Sequence, residues 1–148
     1  MSIAIGVDPG HSGAVVAIQD FQVIWAKGSE TEQDVSRFIR LWGGSGFPTF
    51  ALIERVHSMP KQGVASSFKF GMSYGFLRGC LISLGIPFEE IAPQRWQRDM
   101  GCLTKGDKNV SKARAQQLFP KVKVTHAIAD ALLIAERCRR LMVERGLA

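Results

Sequence analysis

Two short apolar runs in this chain end abruptly in an acid. Ile3-Ala4-Ile5-Gly6-Val7 stops at Asp8, and Phe50-Ala51-Leu52-Ile53 stops at Glu54. Runs this short and this continuously apolar predict buried strands, the second covered on both faces. A third acid, Asp130, sits inside Ala127-Ile128-Ala129-Asp130-Ala131-Leu132-Leu133-Ile134. Carboxylates are rarely buried unless they are paired or bound to metal, because an isolated buried charge costs more than folding can offset. Three of them at the edges of core elements point to a shared partner. Divalent cations held by oxygen ligands and engaged in phosphate chemistry are the simplest such partner.

The pattern along the chain predicts an α/β order. Residues 3–7, Gly13 to Ile18 and Gln22 to Ala26 form an antiparallel meander, with a polar turn at Gln19-Asp20. Ser29-Glu30-Thr31-Glu32 matches a capping box for a helix carrying Val35, Phe38, Ile39 and Trp42, closed by Gly43-Gly44. Phe50 to Ile53 is the fourth strand and Ile86 to Ile91 the fifth. Between them, residues 64–84 read as a helix in which Phe68, Met72, Phe76, Cys80 and Leu84 repeat every four positions. Gly71, Gly75 and Gly79 form a second row, each costing the helix roughly 1 kcal/mol relative to alanine. Such a row predicts close approach by another backbone, from a sheet of the same subunit or from a partner subunit. Helices follow over Pro93 to Met100, Val110 to Phe119, and from an N-cap at Thr125 to Arg145, with a core stripe of Ile128, Ala131, Ala135, Cys138 and Met142. The expectation is a mixed five-stranded β-sheet flanked by α-helices, as one domain over residues 1–148.

At 148 residues and 46% hydrophobic, the chain can bury a sizeable core. No apolar run approaches the roughly 20 residues of a membrane span, and no signal-like N-terminus is visible, so no membrane partner and a cytoplasmic location are expected. Cys80, Cys102 and Cys138 are odd in number and lack a C-x-x-C spacing, which predicts buried free thiols. The net charge of +6 is localised: residues 95–123 hold eight basic residues and two acids, and the remainder balances. A concentrated basic stretch suits a polyanion such as nucleic acid; a solvated face without a partner is the competing reading.

If strands 1 and 4 run parallel, Asp8 and Glu54 lie side by side at their C-terminal ends, and the last helix can bring Asp130 to the same rim. His126, four residues earlier, shares the face of Asp130 near the positive end of that helix. Each residue also has an ordinary reading. Asp8-Pro9-Gly10 suits a type II turn. Glu54 suits a pair with Arg55 or Arg37, Asp130 an exposed position off the apolar stripe, and His126 a surface or capping role. Taken together, two acids at strand ends and one in a late helix of a basic protein point to metal-assisted attack on a phosphodiester.

In Ile5-Gly6-Val7-Asp8-Pro9-Gly10 with the following Ser12-Gly13-Ala14, in Ile53-Glu54-Arg55-Val56, and in Ala129-Asp130-Ala131-Leu132, the chain resembles the RuvC family of Holliday junction resolvases, within the RNase H-like nuclease superfamily. The order and spacing of elements extend the resemblance over essentially the whole chain. It implies an RNase H-like fold with Asp8, Glu54 and Asp130 as catalytic metal ligands. It further implies two Mg²⁺ or Mn²⁺ ions about 4 Å apart, one activating a water and one stabilising the leaving 3′ oxygen. Nicks with 5′-phosphate and 3′-hydroxyl ends follow, made in pairs across a four-way junction or other branched DNA. The resemblance also implies a homodimer, formed in part through the helix that carries Gly71, Gly75 and Gly79.

The chain departs from the family pattern in places. A fourth acid, or in some members a histidine, usually stands three positions before the last Asp; that position is Ala127, and His126 is the nearest candidate for a fourth ligand. Gly13 follows Gly10 after only two residues, as in compact phage-type members, for which the compartment would be the host cytoplasm. His57 stands where an aromatic often acts as a base-stacking wedge. His57, Lys61, Arg95, Lys105, Lys108 and Lys112 are the candidate DNA contacts, with Lys108 and Lys112 the preferred phosphate contacts near the metals. Two other functions remain open: a catalytically inactive branched-nucleic-acid binder of the same fold, and an ATP-binding domain of the actin and sugar-kinase type. The latter needs a second similar domain, which 148 residues do not supply.

Overall fold

The computed structural model describes residues 1–10, 13–28, 30–57, 60–103 and 105–148. Five strands and five helices follow in the order β1 (Ile3–Asp8), β2 (Ala14–Gln19), β3 (Gln22–Gly28), α1 (Glu32–Gly43), β4 (Thr49–Glu54), α2 (Val64–Ser83), β5 (Phe88–Ile91), α3 (Pro93–Asp99), α4 (Lys108–Leu118) and α5 (His126–Glu144). They form one sheet in the order β3-β2-β1-β4-β5. The β1–β2 and β2–β3 pairs are antiparallel, and β1–β4 and β4–β5 are parallel. The expected meander, the central β1 and the mixed α/β sheet are all present. No helix of the described residues is long and apolar enough to cross a membrane.

Side-chain parity along the central strands sorts the core into two layers. Ile3, Ile5 and Val7 of β1, with Ala51 and Ile53 of β4, pack against Ile39 and Trp42 of α1 and Leu77, Cys80 and Leu81 of α2. Ala4 and Leu52 belong to the opposite layer, with Trp96 of α3, Ala115 of α4 and the buried stripe of α5. Alternate residues of a strand point to alternate faces, so Asp8 and Glu54 follow Ala4, Gly6 and Leu52 onto the α5 side.

The close backbone approach lies at Gly6. A Cβ there would stand 2.2 Å from the Ala135 nitrogen and 2.3 Å from the Ala131 carbonyl oxygen, so α5 rests directly on β1. Nothing lies within 4 Å of a Cβ built at Gly71, Gly75 or Gly79. The sheet of the same subunit is therefore not what that row accommodates. Phe68 and Met72, read as part of a repeating apolar row, are 69% and 55% exposed, whereas Cys80 is buried.

Several local expectations shift. The cap of α1 is Thr31, which accepts from the Asp34 amide at 3.2 Å while its hydroxyl donates to the Asp34 carboxylate at 2.8 Å. The box is thus T-x-x-D, two residues later than expected; Ser29 lies outside the described residues, as does Ser12. The β2–β3 turn carries Asp20 at φ 49° and Phe21 at φ 70°, the double left-handed signature of a type I′ hairpin. Phe21 is exposed, and the Arg139 guanidinium covers its ring at 4.2 Å. Ile86 and Pro87 precede β5 instead of opening it, although the Pro87 carbonyl still accepts from the Ala51 amide. Thr125 sits at the N-cap of α5 without a side-chain cap bond. The three cysteines are buried free thiols, as expected.

Replacing Gly6 by alanine forces α5 off β1 and is expected to lower the unfolding free energy by about 3 kcal/mol. Urea denaturation measures this, and an unchanged midpoint would refute the contact.

Candidate active site

The parallel register places Val7 opposite Ile53, so Asp8 and Glu54 end adjacent strands about 4.8 Å apart and face the same way. Asp130 sits in the first turns of α5, one residue before the Ala131 carbonyl that meets Gly6. All three acids are partly buried, and their charges act on one another. The expected common rim is present.

Each carboxylate is held by a different uncharged donor. The Gly10 amide donates to Asp8 Oδ1 at 3.1 Å. The alternative reading of Asp8-Pro9-Gly10 as a type II turn does not hold, since Gly10 does not take the left-handed conformation that turn requires. A Cβ on Gly13 would lie 2.5 Å from the Asp8 carbonyl oxygen, so the two-residue spacing works only with glycine. The Trp96 indole N–H donates to Glu54 Oε2 at 2.7 Å. Ser111, buried in α4, hydrogen-bonds the Asp130 carboxylate. The alternative pairs for Glu54 do not form, because Arg55 pairs with Glu90 at 3.5 Å and Arg37 with Asp34 at 3.7 Å.

These donors do not cancel the cost of crowding the acids. Burial first, then the Asp130 charge, pushes Asp8 from 3.8 up to about 6. Burial and the Asp8 charge push Glu54 from 4.5 up to about 7. Burial also raises Asp130, against the Ser111 bond and the nearby charges of Lys108 and His126. Three acids driven toward protonation by burial, and two of them also by neighbouring acids, are a donor set suited to hard divalent cations. Among the described residues no three His, Cys, Asp or Glu side chains draw close enough to cage a single ion. An ion held here would therefore be bound by one or two carboxylates, with water and substrate phosphate completing the shell, as Mg²⁺ is commonly bound.

The remaining candidates surround this rim unevenly. His126 is the first residue of α5, exposed, and its charge reaches Asp130. Lys108 opens α4, and its charge reaches both Asp8 and Asp130. Lys112, one turn on, is half-buried, and Lys105 is exposed before the helix. His57 is exposed three residues beyond Glu54 and lines an open cavity of about 480 Å³ with Gln62, Phe68 and Tyr74. Lys61 is exposed in the same β4–α2 segment. Arg95 is engaged within the chain: it pairs with Asp99 at 3.1 Å, and Asp99 also binds Arg137 at 2.9 Å. Trp96 and Ser111 are not among the sequence candidates. Ser111 leaves a trace, as a small polar residue one turn before buried Ala115; Trp96 leaves none beyond its aromatic character.

No protein-family model matches the chain, and no curated protein matches it by sequence. Solved structures do. The RuvC protein of Thermus thermophilus in complex with a Holliday junction substrate has a TM-score of 0.69, with 15% identity over 99% of this chain and 98% of that one. A further T. thermophilus RuvC structure has a TM-score of 0.62, with 16% identity at the same coverage. The likeness shows that the chain has the RuvC-type, RNase H-like fold.

Raised carboxyl pKa values favour the metal-free fold at low pH, and that contribution is lost as pH rises through about 6 and 7. Chelator-treated protein is expected to lose stability between about pH 4 and pH 7 from these two groups. Asp8→Asn should flatten part of that fall and melt roughly 5 °C above wild type at the upper end, by differential scanning calorimetry. Wild type and variant falling in parallel would contradict the coupling.

Proposed function

We propose that the chain is a structure-selective endonuclease of the compact, phage-type RuvC kind, resolving four-way DNA junctions and related branches by metal-assisted phosphodiester hydrolysis. The observation that carries this reading is the rim of Asp8, Glu54 and Asp130, whose pKa values are all raised, chiefly by burial, in a RuvC-type fold. Asp8, Glu54 and Asp130 would hold two Mg²⁺ or Mn²⁺ ions, with His126 as the fourth candidate ligand. Bound there, such ions supply a hydroxide-like nucleophile and charge stabilisation of the leaving oxygen. The chain's own residues do the rest. The Gly10 amide, Trp96 and Ser111 fix the three carboxylates, and Lys108 adds a positive charge where a phosphate oxygen would approach Asp8 and Asp130. Lys105, Lys112, His57 and Lys61 extend the DNA-facing surface on both sides. The products are paired nicks with 5′-phosphate and 3′-hydroxyl ends.

Opposed cuts need two active sites, and α2 offers the surface for a second copy. Val64, Phe68, Gly71, Met72, Gly75, Gly79 and Ile82 are all exposed. At 100° per residue they fall within an arc of about 100°, while Leu77, Cys80 and Leu81 face the opposite way into the core. A continuous apolar stripe interrupted by glycines suits a closely packed helix pair across a two-fold axis. Gly75→Leu is expected to yield a monomer in analytical ultracentrifugation with an unchanged circular dichroism spectrum. A dimer that survives this change would place the interface elsewhere.

A second reading has its own observation. Ala127 stands where the resolvase pattern carries an acid, and no three-ligand cage exists among the described residues, as an inactive binder of branched DNA permits. Labelled four-way junction and linear duplex, incubated with Mg²⁺, Mn²⁺ or chelator, separate the two. Paired, metal-dependent nicks at the junction are expected, lost in Asp8→Asn while binding persists. Junction binding without cleavage in either metal would leave the inactive binder. Affinity is also expected to fall linearly in log–log form with salt, with a slope of about −0.9 for each phosphate neutralised.

A further inference from the structure

Trp96 is completely buried, yet its one polar atom is directed at the rim: the indole N–H donates to Glu54 Oε2 at 2.7 Å. The indole is rigidly mounted. Pro93 opens α3, and Arg137 of α5, only 13% exposed, binds Asp99 near the helix end at 2.9 Å. Arg114 of α4 donates to the Met100 carbonyl at 2.9 Å. An indole N–H is a donor only and carries no charge. It therefore orients the Glu54 carboxylate without neutralising it, as an arginine or lysine would.

The terminal carboxylate torsion of a glutamate is otherwise broad and soft. With one lone pair of Oε2 taken by Trp96, that oxygen is tethered and is the poorer donor, which disfavours presenting both oxygens equally to one cation. Oxygen Oε1 is left as the natural ligand. This matters because cations differ in what they ask of a carboxylate. Small ions of the Mg²⁺ type require near-octahedral ligation at about 2.1 Å, whereas Ca²⁺ accepts six to eight oxygens and commonly takes both from one carboxylate.

We propose that Trp96 is a positioning, specificity-determining residue: its hydrogen bond holds Glu54 for ligation through a single oxygen, and so biases the site toward Mg²⁺ and Mn²⁺ over Ca²⁺. The inference rests on the reading of Glu54 as a cation ligand. Two replacements test it. Trp96→Phe removes the donor, and site-specific incorporation of benzothienylalanine removes it while keeping the bicyclic shape. Mn²⁺ and Ca²⁺ are titrated separately into the full chain by calorimetry at fixed pH.

The Mn²⁺ dissociation constant is expected to rise about tenfold in both replacements, with the Ca²⁺ constant moving less than about twofold. The indole N–H resonance that disappears in Trp96→Phe should also shift when Mg²⁺ is added to wild type. Equal weakening of both ions, or no change in either, would overturn the inference while leaving the nuclease reading standing. A wild-type protein that takes up neither ion would overturn both. A benzothienylalanine protein that melts like wild type but keeps the wild-type Mn²⁺/Ca²⁺ ratio would exclude the hydrogen bond as the cause.

Discussion

The contact between Gly6 and α5 sets the geometry on which everything else depends. A strand and a helix normally keep side chains between their backbones. Here a glycine on β1 meets Ala131 and Ala135, and the helix settles onto the strand. Asp130 precedes that contact by one residue and Asp8 follows Gly6 by two, so the acids meet because the backbones do. A larger residue at any of the three positions would move Asp130 away from Asp8 before it disturbed anything else. The two halves of the core, one facing α1 and α2 and the other facing α3 to α5, hold β1 between them and keep the spacing fixed.

That placement is costly, and the fold offsets only part of the cost. Gly10, Trp96 and Ser111 supply one uncharged hydrogen bond to each acid, and Lys108 supplies the nearby positive charge. Elsewhere the protein treats buried acids differently. Glu136, 6% exposed, is matched by Arg139 at 2.8 Å and Arg140 at 3.0 Å, and its pKa is lowered despite burial. The same chain therefore neutralises an acid that serves structure and leaves unmatched the acids at the rim. Electrostatic deficit at one place, in a molecule that solves the identical problem with arginine less than two turns along the same helix, is what supports the proposed role of the rim.

Much of this is legible in the residues. Short apolar runs mark the strands, their acidic ends mark the rim, and parity along β1 and β4 alone puts Asp8 and Glu54 on one face of the sheet. The Gly6 contact also has a signal, a glycine inside a strand with alanines four apart in the last helix, but the glycine row in α2 is far more conspicuous. That row is solvent-facing, because periodicity reports which residues share a face and not what covers it. Thr31 displaces Ser29 as the cap because two overlapping motifs share the same residues, and only backbone conformation chooses between them. The Trp96–Glu54 bond is beyond the reach of pattern, since it joins residues 42 apart whose meeting depends on how α3 docks.

The cations divide in the same way as the acids. Among the described residues the arginines are mostly committed: Arg37, Arg55, Arg78, Arg95, Arg137, Arg139, Arg140 and Arg145 each hold an acid of the same chain. Lys105, Lys108, Lys112, Lys121 and Lys123 enter no ion pair among the described residues, and all five fall in the segment that carries the excess charge. Arginine's planar fork suits fixed, bidentate recognition of a base edge, while lysine is a mobile point charge suited to phosphate. On the proposed function, a surface that commits most of its arginines internally and offers lysines outward suits following a phosphate backbone more than reading bases. On that reading, selection among DNA molecules would come from where two such surfaces of a dimer can be met at once, which is a property of the shape of the DNA.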